Sequence, residues 1–226
     1  MYNFKLEIAC FNLKSALSAH ENMADRVELC RNLSVGGLTP EIATVISART
    51  KLSIDLFIMI RPREGNFVYS NDEFKQMKKD IKSFKEIGVD GFVFGILNDD
   101  GGVNKKQNKE LIKLAEPLPC TFHRAFDDTT NPFKALEDII DCGFTTILTS
   151  GQKPTAMEGI NMLQKLVERA DNRINIMPRG GVRSTNIDIL MEKLKVPYYH
   201  SSAIIDNGDF PNVKEMQLIR KKLQTK

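Results

Sequence analysis

The stretch Thr121-Phe122-His123-Arg124-Ala125-Phe126-Asp127 sets an imidazole, a guanidinium and a carboxylate within five residues, just after the apolar approach Pro119-Cys120. An imidazole can switch charge near neutral pH, a guanidinium holds anions with a fixed charge, and a carboxylate can orient either or carry a proton. Similar groups close other β-prone runs: Glu7, Glu28 followed by Cys30, Arg61, Ser150-Gly151, Arg179-Gly180-Gly181 and His200. Glu7, Glu28, His123 and Asp127 are the candidates for proton transfer. Arg61, Arg124 and Arg179 could hold an anion, with His200 and the amides around Ser150, Gly151, Gly180 and Gly181 as further donors. A lone histidine such as His20, inside a helical pattern, reads as an ordinary helix residue.

Those residues need a frame that brings distant positions together, and the periodicity supplies one. Short β-rich runs at 4–10, 25–30, 54–60, 91–97, 119–125, 145–150, 174–180 and 197–203 alternate with helical patterns. Ser70 with Glu73 makes a capping box ahead of Phe74, Met77, Ile81 and Phe84 at helical spacing. Thr39-Pro40 and Asn131-Pro132 each place a cap residue before a proline suited to the first helical position, while Gly88 and Gly143 mark helix ends. Further helices fit 12–22, 104–115, 155–170, 184–194 and 213–223. Eight such units without a break in composition predict a single-domain (β/α)8 TIM barrel over residues 1–226. A doubly wound open sheet is the other arrangement with this alternation, but no G-x-G-x-x-G loop follows the first strand.

In a barrel the strand ends form the functional mouth. Alternation then groups Glu28 with Cys30, Met59 with Arg61, Thr121 with His123 and Met177 with Arg179 on the inner face. Two glutamates facing several cations predict a paired network with donors to spare for an anionic ligand; a charged plug serving stability alone is the plainer reading. The cysteines allow a different chemistry, because Cys10, Cys30, Met59 and Met177 are soft ligands of the type that suits Cu(I). Cys10 has the opposite parity to Glu7, so both face the mouth only if the strand bends.

Composition limits the setting. The chain has 226 residues, 42% hydrophobic and 27% charged, with a formal charge of +3, too balanced for a dedicated nucleic-acid binder. Four cysteines at 10, 30, 120 and 142 form no C-x-x-C pair and are expected to be reduced. The start MYNFKLEIAC lacks a signal-peptide layout, and the longest apolar run, Leu56 to Ile60, is far below the ~20 residues of a membrane span. A cytoplasmic protein with neither nucleic acid nor membrane as partner is expected.

The segments DRVELCRNLSVGGLTP (25–40), MIRPREGNFVYSNDEF (59–74), TFHRAFDDTTNPFKALEDI (121–139) and ILTSGQKPTAMEGI (147–160) resemble the CutC copper-homeostasis family, and the likeness runs from Leu6 to about Gly208. The resemblance implies a (β/α)8 barrel, a homodimer in the cytoplasm, and copper handling, with Cys10 and Cys30 at the positions proposed to bind Cu(I). It also implies a charged mouth at Glu7, Glu28, Arg61, His123, Arg124 and Asp127. The turn PRGGVR departs from relatives that carry smaller residues before the glycines, so Arg179 alters the charge or size of the ligand.

Two functions follow as expectations. One is a copper-homeostasis protein binding Cu(I) through Cys10 and Cys30. The other is an enzyme of lyase, aldolase or isomerase type acting on a small anionic or phosphorylated metabolite. No lysine sits at a clear strand end, which argues against a Schiff-base aldolase.

Overall fold

A computed structural model describes residues 4–224. Eight parallel strands alternate with eight helices: β1 (Lys5–Cys10), α1 (Leu13–Glu21), β2 (Arg26–Leu29), α2 (Ile42–Lys51), β3 (Asp55–Met59), α3 (Asn71–Ile87), β4 (Gly91–Phe94), α4 (Lys105–Ala115), β5 (Cys120–Phe122), α5 (Pro132–Cys142), β6 (Thr146–Thr149), α6 (Ile160–Ala170), β7 (Asn175–Pro178), α7 (Ile187–Leu194), β8 (Tyr198–Ser201) and α8 (Val213–Gln224). The ladders run β7-β6-β5-β4-β3-β2-β1-β8. β8 pairs in parallel with β1, and β7 and β8 come into contact without a ladder, so the (β/α)8 TIM barrel is nearly closed.

The two strand faces divide the core. Leu6, Ile8, Val27, Leu29, Leu56, Ile58, Phe92, Phe94 and Phe122 point outward and pack, fully buried, against helix residues such as Ala16, Val45, Met77, Ile81 and Leu111. The alternate positions point into the barrel, where Cys30, Phe57, Met59 and Val93 form a separate apolar cluster beside the buried polar residues Glu7, Arg26 and Glu28. Period-two alternation in the strands thus separates a helix-facing hydrophobic layer from an interior that carries chemistry.

Most local signals act as the sequence predicts. Ser70 and Glu73 form the capping box of α3, Asn131 accepts from the Lys134 amide with Pro132 opening α5, and Gly88 and Gly143 close their helices in the left-handed conformation. Thr39-Pro40 is a correction. α2 starts two residues later with Glu41 at its cap position, because the Thr39 hydroxyl accepts instead from the Arg61 amide at 2.8 Å and ties that loop to the end of β3. The predicted strand 119–125 is shorter than expected. After Phe122 the chain turns at His123 into a 3-10 turn, Arg124–Asp128, which lifts the polar residues over the barrel end. The helix expected over 155–170 forms only from Ile160, and the one over 184–194 from Ile187.

Asn108, fully buried in α4, fixes the exit of β4: its side chain accepts from the Ile96 amide at 3.2 Å and donates to the Ile96 and Asn104 carbonyls at 2.8 Å each. Replacing this amide with a similar-sized apolar group strands the buried Ile96 amide and takes one of two donors from each of the Ile96 and Asn104 carbonyls. Asn108→Leu is expected to lose about 2–4 kcal/mol in urea unfolding; a change below about 0.5 kcal/mol would contradict that role.

Candidate active site

The interior network starts from Glu7 on β1, a fully buried carboxylate. Strand register places Arg26 and His200 opposite it on its two neighbours, β2 and β8. Arg26 Nε donates to Glu7 Oε2, and His200 Nδ1 lies 2.6 Å from Glu7 Oε1, so both carboxylate oxygens are engaged. The Arg26 guanidinium is itself sandwiched 4.1 Å from the rings of Phe57 and Tyr198. Burial works against ionisation of Glu7, but Arg26 and His200 outweigh it and hold the carboxyl below its ordinary range.

Glu28 on β2 sits two rungs towards the mouth and has no such cation. Its Oε1 is buried without a hydrogen-bond partner, and His200 Nε2 stands 4.0 Å from its Oε2. Burial, together with the charge of Glu7, pushes its acidity the other way, so Glu28 retains its proton above the ordinary carboxylate range. His200 Nδ1–H donates a hydrogen bond to the ionised Glu7 and turns Nε2 towards Glu28. At 4.0 Å that gap is too long for a direct hydrogen bond and is one that a single water or ligand atom can span, with Glu7 as the orienting partner of His200.

His123 opens the 3-10 turn and is fully buried. Its Nδ1 accepts from the Ala125 amide at 3.3 Å, its ring packs 4.8 Å from Phe67, and Nε2 has no partner. Burial and the charges of Arg61 and Arg124 press its pKa down to about 3. An imidazole with so low a pKa is a weak base near neutral pH, so the geometry favours His123 as a neutral hydrogen-bonding group over the proton carrier expected from sequence.

The arginines divide into holders and anchors. Arg61 is buried and spends Nη1 on the Val35 and Gly37 carbonyls and Nη2 on that of Gly65, so it clamps the loops after β2 and β3. Arg124 has no carboxylate partner among the described residues and lines the cavity. Arg179 lines it too, steadied from behind by Asp127 at 3.4 Å. Asp127 also accepts from the hydroxyls of Thr149 and Ser150 and the amides of Ser150 and Gln152, so it locks the β6 loop and positions Arg179. Ser150 and Gly151 belong to that buttress. Gly180 and Gly181, both left-handed with φ of 81° and 72°, leave their amides without an acceptor among the described residues and line the cavity. This is the donor arrangement of an anion nest.

The cavity at the strand ends, about 210 Å³, gathers Glu28, His123, Arg124, Arg179, Gly180, Gly181 and His200. Of the predicted residues Glu7, Asp127, Arg61, Ser150 and Gly151 stand behind it. Arg183 and Ser202 also line it and were not singled out; both lie in the runs RGGVRS and HSSAI, where loop position rather than strand alternation sets the direction of a side chain.

The cysteines sit differently from the expected thiolate pair. Cys10 continues the outward series of Leu6 and Ile8 into the helix-facing core, its thiol 3.6 Å from the Ile8 carbonyl. Cys30 faces inward, with its thiol 3.7 Å from Glu28 Oε2. Burial first, then the nearby Glu28 charge, pushes both thiols well above their ordinary range, so both hold their protons. The one group of three His, Cys, Asp or Glu side chains among the described residues close enough to share a cation is Glu7, Glu28 and His200. With Glu7 already engaged and Arg26 beside it, the group reads as a proton-handling set.

A parallel barrel with convergent cations and a proton-retaining carboxyl at the strand ends belongs to the class of (β/α)8 proteins with a built mouth site. The model of the CutC family matches residues 4–205, and the chain belongs to that family. The human copper homeostasis protein cutC homolog is 41% identical over 200 residues, covering 88% of this chain and 73% of the human protein. The family protein CutC of Glaesserella parasuis serovar 5 is 43% identical over 199 residues, covering 88% of this chain and 82% of that protein. The crystal structure of CutC from Streptococcus agalactiae superposes with a TM-score of 0.84 at 33% identity, over 88% of this chain and 98% of that one. Phosphoribosylanthranilate isomerase from Thermotoga maritima shares the fold alone, with a TM-score of 0.65 at 13% identity over 99% of this chain and all of that one.

The raised pKa of Glu28 has a stability signature. Its folded pKa lies above the reference value of 4.5, so its proton favours folding at low pH and that contribution fades as pH rises through the folded value. Glu28→Gln, which cannot ionise, is expected to melt above the wild type at about pH 8 and to lose the advantage as the pH falls towards 4.5. Thermal melts across that range check it; a difference independent of pH would show that the pKa of Glu28 does not change on folding.

Proposed function

We propose that this CutC-family chain is an enzyme that binds a small anionic metabolite at the barrel mouth and transfers a proton there. The observation that supports the reading most directly is one cavity in which the braced Arg179, Arg124 and the Gly180 and Gly181 amides, which have no partner among the described residues, face Glu28, whose pKa is raised, and its neighbour His200. The cations and amides suit a phosphate or carboxylate group. Glu28 is the acid or base at the reacting carbon or oxygen, and His200, fixed by Glu7, relays its proton. No lysine lines the cavity, so the chemistry runs without an imine.

Thermal-shift titration with inorganic phosphate and with small phosphorylated and carboxylated metabolites tests this. Wild-type protein is expected to be stabilised in a saturable way. Arg124→Gln and Arg179→Gln should each weaken the effect roughly 10- to 100-fold, the loss of a charge-assisted contact. Stabilisation that ignores both substitutions would remove the anion site.

Copper handling is the second reading. It draws on the names printed for the human and mouse relatives and on Cys30 lying beside Met59, two soft ligands in the barrel interior. It stands second because Cys10 faces the helices while Cys30 faces the barrel interior, so the two thiols do not share the mouth. In an anaerobic Cu(I) competition titration, Cys10→Ser/Cys30→Ser is expected to match the wild type. Tight stoichiometric binding lost in the double variant would reverse the order of the two readings.

A further inference from the structure

This inference rests on the anion-binding reading and names the second group that the ligand must carry. Three observations at His123 combine. The Ala125 amide donates to Nδ1, so the ring proton resides on Nε2. That Nε2–H is buried with no acceptor among the described residues, a state that costs stability unless a water or a ligand supplies one. And the ring lines the same cavity as Arg124, Arg179 and Glu28. The ring is held in place as well: Phe67 packs against one side, and a Cβ on Gly95 would lie 2.9 Å from Nδ1, so only glycine leaves room for it there.

We propose that His123 is a neutral hydrogen-bond donor to a carbonyl oxygen, and that the substrate is therefore a small anion bearing a ketone or aldehyde beside its charged group. The groups around the ring agree. Arg61, Arg124 and Arg179 are cationic, and an imidazolium among them would be repelled, whereas a neutral N–H is not. Neutral imidazoles used this way polarise carbonyls in enolising enzymes. The step is proton abstraction next to the carbonyl. The C–H bond breaks and its electron pair forms a C=C bond, the carbonyl π pair moves onto oxygen against the His123 Nε2–H, and the ionised Glu28 carboxylate takes the proton. Where the carbon that loses the proton carries a hydroxyl, that hydroxyl's proton passes to the enolate oxygen and Glu28 returns its own proton to the former carbonyl carbon, so an α-hydroxy ketone and an α-hydroxy aldehyde interconvert with no other reactant.

The test uses the three histidines of the chain, whose ring nitrogens are few enough to resolve in long-range ¹H–¹⁵N spectra, with His123→Phe identifying the signal. Without ligand, His123 is expected to stay an Nε2–H tautomer from about pH 5.5 to 8.5; titration in that range or an Nδ1–H tautomer overturns the inference. Dihydroxyacetone phosphate, sn-glycerol 3-phosphate and inorganic phosphate are then compared. The ketone alone should move the Nε2–H proton downfield, and His123→Phe should bind it roughly tenfold or more weakly while its response to inorganic phosphate is unchanged. If inorganic phosphate moves the proton equally, or the ketone stabilises the protein without moving it, the carbonyl role falls and the anion site survives. If none of the three stabilises the protein, the anion reading fails and this inference with it. The wild-type spectra decide the matter even where the variant does not fold.

Discussion

The double engagement of Glu7 is the interaction on which the site depends. A carboxylate with no exposure stays ionised because Arg26 holds one oxygen and His200 the other, and the three residues come from adjacent strands. Arg26 is desolvated in turn by Phe57 and Tyr198 on β3 and β8. The consequence reaches outward. With Arg26 spent on Glu7, burial and the negative charge of Glu7 outweigh His200 and Arg179 at Glu28 and raise its pKa above the ordinary carboxylate value. Two glutamates in one interior thus shift in opposite directions, a division that lets one organise and the other react.

The same logic separates the cations. Arg61 is consumed by backbone carbonyls and Arg179 is shared with Asp127, while Arg124 carries its charge into the cavity unopposed. Asp127 gathers hydroxyl and amide donors from the β6 loop, which makes that loop and Arg179 one mechanical unit.

Much of this was legible in the sequence. Alternation within strands carried the barrel and the inward placement of Glu28, Cys30 and Met59, because a period of two leaves little freedom. Parity also warned against Cys10, three residues from Glu7, and the strand does not bend to rescue it. What periodicity could not carry was hydrogen bonding. Whether an arginine anchors a loop, as Arg61 does, or faces a ligand, as Arg124 does, depends on where loop carbonyls fall. The neutral state of His123 depends on one backbone amide two residues ahead, and the delayed start of α2 on a threonine hydroxyl drawn to β3. Arg183 went unremarked because a loop residue has no strand phase to declare its direction.

The seam between β7 and β8 has a meaning of its own. Every other neighbouring pair is joined by a backbone ladder; here the gap is bridged by side chains, with the Ser201 hydroxyl donating to the Val182 carbonyl at 2.7 Å and accepting from Arg183 at 3.2 Å. The cavity draws Gly180, Gly181 and Arg183 from one bank of that gap and His200, Ser201 and Ser202 from the other. A bound anion would therefore act as a missing rung. Occupancy would close the cylinder at its one unlaced joint, so the mechanical stiffness of the whole barrel would report whether its mouth is full.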